Sequence, residues 1–287
     1  MHMNKRLEIF DVIITLVMLV VLAVTLYPLL YIVSVAFSDP FYVAQNKITF
    51  YPRGFTIEAL NMIFANERVP RAYLNTILYT FTGTSVNLLL TAISAYPLSR
   101  KKFFGRKVYL RLIVFTMLFS GGMIPSYIIV SKLGLIDSMW ALVFPNAVWT
   151  FELLIMKSFY EGMPEELHEA GIIDGASELR MMFQIFIPLS KPALASIGLF
   201  YFMGHWNSFF IPMIYINSAK KFPLQVILRD MLIENTVMRT TDVESGKMTP
   251  EILKNATIFV TMIPVLMVYP FAQKYFTKGV MIGSIKG

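Results

Sequence analysis

The chain contains no cysteine, which excludes a disulfide framework and any thiolate metal site. Its three histidines, His2, His168 and His205, are dispersed and make no HExxH-type cluster. No Gly-Lys-Ser or Gly-Lys-Thr occurs, so the loop that cradles nucleotide phosphates is missing. If the protein uses ATP, another chain binds it. Charge is also scarce: 15% of residues are charged and 56% hydrophobic, against roughly 25% and 45–50% in soluble domains. With a mean hydropathy of +0.62, this is a chain for a membrane.

Spanning a bilayer as a helix takes about 20 mostly apolar residues. Runs of that kind fall at about 11–37, 72–99, 110–131, 138–157, 192–217 and 255–273. They are continuously apolar and do not alternate as barrel strands do, so the expected fold is all-α, a single transmembrane domain over 1–287 with six spans. Lys5 and Arg6 ahead of an apolar run resemble a secretory signal, but no charge occurs from Val12 to Phe37, well beyond a signal's apolar core of about 7–15 residues. The run is expected to be a retained first helix. The segment 158–191 is expected to project from one face, and the connectors at about 38–71 and 218–254 from the other.

Orientation follows from Lys and Arg. Placing the N-terminus inside puts 14 of the 25 on that face and 11 on the other, and the short loop Arg100 to Arg111 holds six of them without an acid. Short loops dominate the positive-inside rule, so both termini are expected in the cytoplasm. The same loop accounts for the densest part of the +7 net charge. It reads as a topology anchor able to attract anionic headgroups, and no recognition motif points to nucleic acid.

Residues Met163 to Pro192, MPEELHEAGIIDGASELRMMFQIFIPLSKP, are acid-rich and lie between two apolar runs. Pro164 suits the first position of a short helix, and Glu165 and Glu166 suit the positive end of its dipole. Leu167, Ala170 and Asp174 recur at helical spacing, and Asp174-Gly175 supplies a turn before a second helix through Ile187. Interfacial helices that lie on lipid favour Lys and Arg on their polar face. This segment instead carries Glu161, Glu165, Glu166, Glu169, Asp174 and Glu178, which suits a knob for a basic cleft in a partner.

Within the spans, Phe119-Ser120-Gly121-Gly122-Met123-Ile124-Pro125 interrupts the third run, and the bend is expected either to line a pathway or to serve packing. Glu152 is an acid inside the fourth run; it should face a cavity or a partner, or reach the interface near Lys157. Trp206 and Asn207 in the fifth offer a stacking face and hydrogen bonds for a sugar, or else a packed ring and an interhelical bond.

The stretch Glu169-Ala170-Gly171, then Ile173-Asp174-Gly175-Ala176, then Ile187-Pro188-Leu189 and Pro192 resembles the EAA loop of permease subunits of binding-protein-dependent ABC importers. Ala95-Tyr96-Pro97-Leu98-Ser99-Arg100, Trp206-Asn207 and the tail from Gln273 to Gly287 are similar to the carbohydrate branch, to the second permease of maltose-type and alginate-type importers. The family usually has Ala at the position of Gly171, a change that weakens a short helix by about 1 kcal/mol.

The resemblance implies a sugar permease of the bacterial inner membrane without catalytic residues or a bound cofactor. Its implied partners are a second permease, two ATP-binding subunits carrying ATP and Mg, and an external solute-binding protein. It implies ATPase coupling through Glu165, Glu169, Ala170, Gly171, Asp174 and Gly175, with Glu169 pairing with a basic residue in the ATPase cleft, Ala170 and Gly171 lining the contact, and Asp174-Gly175 setting the turn. The tail after Gln273 would reach between the ATPases. Glu152, Gly122, Pro125, Trp206 and Asn207 stand as candidates for the pathway, and an oligosaccharide, acidic in the manner of alginate, as the substrate. Two rivals are an ion-coupled secondary transporter, which would use intramembrane carboxylates and inverted repeats, and a membrane enzyme, which would need a clustered nucleophile, acid and base.

Overall fold

A computed structural model describes residues 9–237 and 250–284. In chain order its main helices are α1 (Ile9–Ala36), α2 (Glu58–Ala65), α3 (Arg68–Ser99), α4 (Arg106–Leu118), α5 (Met123–Lys132) and α6 (Thr150–Glu161). They continue as α7 (Glu166–Ile173), α8 (Glu178–Leu189), α9 (Lys191–Trp206), α10 (Phe210–Tyr215), α11 (Leu224–Val237) and α12 (Pro250–Ser284). The described residues contain no strand.

Three helices, α1, α3 and α12, are long and apolar enough to cross a membrane, and the number rises to five if each of two bent pairs counts as one span. Of the six spans expected from hydropathy, the third is broken where its interruption was expected, and the fourth and fifth are not single helices either. The third run is broken between α4 and α5 by a bend of 115°, at Gly122 with φ +87°. The fourth is a helical turn Trp140–Val143, a 3-10 turn Phe144–Asn146 and then α6. Pro145 has no N–H to continue a ladder. The fifth stops at Trp206 and resumes at Phe210.

The chain forms two compact units, one of residues 1–69 and 228–263, the other of 70–227 and 264–287. In the first, α1 is exposed from Phe10 to Leu30, a helix apolar on every side as a lipid-facing span must be. The following connector is ordered by local bonds. Asp39 accepts from Phe41 N at 2.8 Å and its own N–H meets Arg53 O at 3.0 Å. Phe37 stacks on Phe55 and meets Phe259 edge-on, with centroids 5.5 and 5.1 Å apart, while the Tyr31 hydroxyl donates to Glu251 at 2.8 Å. The connector at 38–71 thus carries helices of its own. The stretch 238–249 of the other expected connector lies outside the described residues.

The second unit is organised by a stripe along α3. Thr76, Thr80, Asn87 and Thr91 are all buried and, with Gly83, recur at the helical period. Asn87 Nδ2 donates to Asn146 O and Ala147 O at 2.9 and 2.7 Å, and its Oδ1 lies 2.9 Å from His205 Nε2. Thr91 shares a 2.7 Å bond with Tyr201, whose hydroxyl accepts from Trp149 N at 3.1 Å. Thr76 accepts from Leu224 N. Irregular backbone at membrane depth persists only where protein satisfies it. Here the polar face of α3 supplies those partners at the broken fourth span.

Beyond α5, Asp137 at φ +61° clamps the connector before α11. Its carboxylate takes the Lys221 ammonium at 2.7 Å, the Ser218 hydroxyl and the N–H groups of Asn217 and Ser218. The Lys221 bond, followed by those from Ser218 and Asn217, holds the carboxyl well below the ordinary range.

Candidate coupling site

The segment 158–191 is rooted before it projects. At its entry, Arg106 bonds Leu98 O at 2.7 Å and pairs with Glu161, which also takes Lys157 at 2.7 Å. Glu161 is therefore committed internally and does not belong with the acids that lack an internal partner. Glu178 is committed too: it accepts from the Tyr96 hydroxyl at 2.7 Å and lies 3.2 Å from His168 Nε2.

Helix α7 begins two residues later than the Pro164 start, at Glu166, with Glu165 as its N-cap. His168 N and Glu169 N donate to Glu165 O at 2.9 and 3.1 Å. Glu166 and Glu169 occupy the first turn, where carboxylates meet the positive end of the peptide dipoles. Glu165, Glu166, Glu169 and Asp174 are exposed and form no ion pair among the described residues. Four uncommitted acids remain on a two-turn knob.

The turn after α7 is a Schellman motif. Ala176 N donates to Gly171 O at 2.9 Å, Gly175 N donates to Ile172 O at 3.0 Å, and Gly175 sits in the left-handed region at φ +70°. This is the 6→1 and 5→2 pair of bonds that ends a helix with orphan carbonyls satisfied. Ser177 then caps α8 through Arg180 N.

Gly171 faces the other way from the expected contact. It is buried, and a Cβ there would lie 2.8 Å from Met181 Sδ and 3.1 Å from its Cγ. Its lack of a side chain lets α7 pack on α8, so it shapes the knob from within while Ala170 stays exposed. Beside Ala170, Ile172 and Ile173 are 56% and 85% exposed. Reading by helical spacing passed over this apolar tip; two adjacent isoleucines next to a turn were the available signal.

What α8 buries connects the knob to the spans. Met181, Met182 and Phe186 are each at most 3% exposed and join a core with Ala92, Ala95 and Tyr96 of α3, Leu153, Met156 and Tyr160 of α6 and Ile197 and Tyr201 of α9. Residues Met182–Phe186 form a π turn, a local widening often found at functional places. Arg100 lies over the Phe186 ring at 4.2 Å and the Tyr96 ring at 4.8 Å.

The pathway candidates do not come together as one surface. Gly122 and Pro125 are exposed at the α4–α5 break. Glu152 is buried in the first turn of α6, and Lys157, its expected neighbour, pairs with Glu161 instead. Trp206 is 2% exposed, packed on Tyr73 at 5.9 Å and Phe202 at 6.0 Å. Asn207 is exposed and bonds Met203 O at 2.9 Å. The buried stripe of α3, above all Asn87, was not singled out from the sequence, although its polar residues at helical spacing inside an apolar run were visible.

No protein-family model matches the chain. Protein LplC of Bacillus subtilis is 42% identical over 100% of this chain and 98% of its own length. The polygalacturonan/rhamnogalacturonan transport system permease protein YtcP of the same organism is 40% identical over 99% of this chain and 100% of its own. Among solved structures, a chain of a bacterial ABC transporter involved in the import of the acidic polysaccharide alginate superposes with a TM-score of 0.86 at 30% identity, covering 96% of this chain and 99% of that one.

Proposed function

The chain belongs to the permease subunits of sugar-uptake ABC transporters, and from that membership we propose that α7 and the turn after it are the handle by which separate ATP-binding subunits move it. It is a multi-pass protein of the cytoplasmic membrane that serves sugar import. The proposed assembly adds a second permease, two ATP-binding subunits that hold ATP and Mg, and an external binding protein. The knob and both termini then face the cytoplasm.

The observation that carries this reading is the contrast between the two sides of the segment 158–191. Its outward side offers Glu165, Glu166, Glu169 and Asp174 without internal partners, beside exposed Ile172 and Ile173. A basic cleft with an apolar floor complements both. Its inward side plugs Met181, Met182 and Phe186 into the packed α3, α6 and α9. Close-packed interiors transmit displacement because they compress little, so a rigid shift of α7 tilts those helices together. ATP and loaded binding protein would each favour the outward-open state only through a higher affinity for it.

For the substrate, the 40% identity to a polygalacturonan/rhamnogalacturonan permease and the likeness to the alginate importer support an oligosaccharide released from an acidic polysaccharide. Gly122, Pro125, Glu152, Trp206 and Asn207 enter this proposal only as places whose mutation is worth testing.

Glu169→Lys tests the handle. Membrane insertion should be unchanged and co-purification of the ATP-binding subunits lost, whereas Glu161→Gln, on the committed acid, should leave assembly intact. Normal assembly of the Glu169 variant would reject the role. Because the chain lacks cysteine, Ile173→Cys gives a single thiol for the orientation. A membrane-impermeant maleimide should reach it from inverted vesicles and not from intact cells.

A further inference from the structure

Between the end of α3, the loop after it and the start of α8 lies a cavity of about 440 Å³, lined by Ile93, Tyr96, Arg100, Phe103, Leu179 and Met182, together with Lys102 and Glu178. The walls are mainly apolar, and the charged lining residues are Arg100, Lys102 and Glu178. Nothing in the coupling mechanism uses this space.

Arg100 is its unusual element. Its Nε and Nη2 atoms are buried without a hydrogen-bond partner, and its guanidinium lies over the Tyr96 and Phe186 rings. Burying a cation's donors unpaired is costly, and ring faces offset only part of that. Glu178 shares the cavity wall but makes no ion pair with Arg100 among the described residues; its carboxylate accepts from Tyr96 and lies 3.2 Å from His168 Nε2. Lys102, exposed on the loop, adds a second cation, and Lys101 and Lys107 lie in the same stretch, which has no acid. A mainly apolar cavity lined by Arg100 and Lys102, at the end of a spanning helix, matches one ligand class: an amphiphile with an anionic phosphate headgroup.

We propose that this cavity binds an anionic phospholipid, its phosphate at Arg100 and Lys102 and the upper part of an acyl chain along Ile93, Phe103, Leu179 and Met182. A small soluble anion would leave the apolar walls unmatched. At about 440 Å³ the cavity takes the phosphate and the first part of one chain, not a whole lipid, so the remainder stays in the bilayer. Occupancy ties the foot of α3 to the start of α8, and so tunes the stiffness of the link between knob and spans.

The test uses the assembled importer in phosphatidylcholine nanodiscs doped with a diazirine-bearing phosphatidylglycerol, with photolabelled peptides mapped by mass spectrometry. Labelling should concentrate on peptides holding Phe103, Leu179 or Met182, and excess phosphatidylglycerol should compete where excess phosphatidylcholine and inorganic phosphate do not. At roughly 1 kcal/mol for each cation near a surface, Lys102→Gln should cut labelling about fivefold and Arg100→Gln with Lys102→Gln about 25-fold. Lys102 is exposed, so its variant keeps the test valid if the Arg100 variant fails to fold. Label spread along α1 without enrichment at the cavity, indifference to Lys102→Gln, full competition by inorganic phosphate, or labelling only after the ATP-binding subunits are stripped away would each overturn the proposal.

Discussion

Gly171 offers the sharpest check on how the knob is built. Replacing it with Ala adds a methyl 2.8 Å from Met181 Sδ and 3.7 Å from Ile185 Cδ1. Helix propensity favours the change by about 1 kcal/mol, while overpacking opposes it by about 1–3 kcal/mol. The net is a loss of roughly 0–2 kcal/mol, so the single variant decides little. Met181→Ala alone removes a side chain that is 1% exposed and should cost about 2–5 kcal/mol. In the double variant the new methyl enters vacated space, the clash vanishes and the propensity gain remains. The two changes should therefore be less damaging together than their sum, by about 1–3 kcal/mol. Hydrogen exchange of the peptide 166–176 in the assembled importer reads the opening free energy of this element, with a tenfold rate change for each ~1.4 kcal/mol. Additivity within about 0.5 kcal/mol would mean that Gly171 and Met181 do not touch, and the packing of α7 on α8 would be wrong.

Two further outcomes follow from the spans. Gly204→Ala drives a methyl into the Trp149 ring, which is held against Tyr201 at 4.8 Å. Overpacking of about 1–3 kcal/mol or more should lower the melting temperature in detergent, whereas Gly121→Ala, with nothing within 4 Å of the new atom, should stay within about 0.5 kcal/mol of the parent. Asn87→Ala strips partners from Asn146 O, Ala147 O and His205 and should destabilise by about 1–3 kcal/mol, read in the same melt; an unchanged melt would remove Asn87 as the support of the broken span.

The knob was legible because its signals are local. Pro164, the early glutamates and Asp174-Gly175 act within a few residues of themselves, and dipole, cap and left-handed turn need no distant partner. The commitment of Glu161 and Glu178 was not legible, since Arg106 and Tyr96 lie 55 and 82 residues away in the chain. The inward direction of Gly171 was missed for the same reason: a glycine is equally suited to an outer contact and an inner one, and only the placement of Met181 distinguishes them.

By itself, the sequence determined that this chain lives in a bilayer, is helical, and carries an acidic helix–turn–helix between apolar runs. Those properties depend on solvation and local conformation, which each stretch settles alone. Only the tertiary structure decided where the spans break. An apolar run such as 138–157 suits an unbroken helix in lipid, and its break at Phe144–Asn146 survives because Asn87, some 60 residues earlier, donates the hydrogen bonds that the bilayer cannot supply.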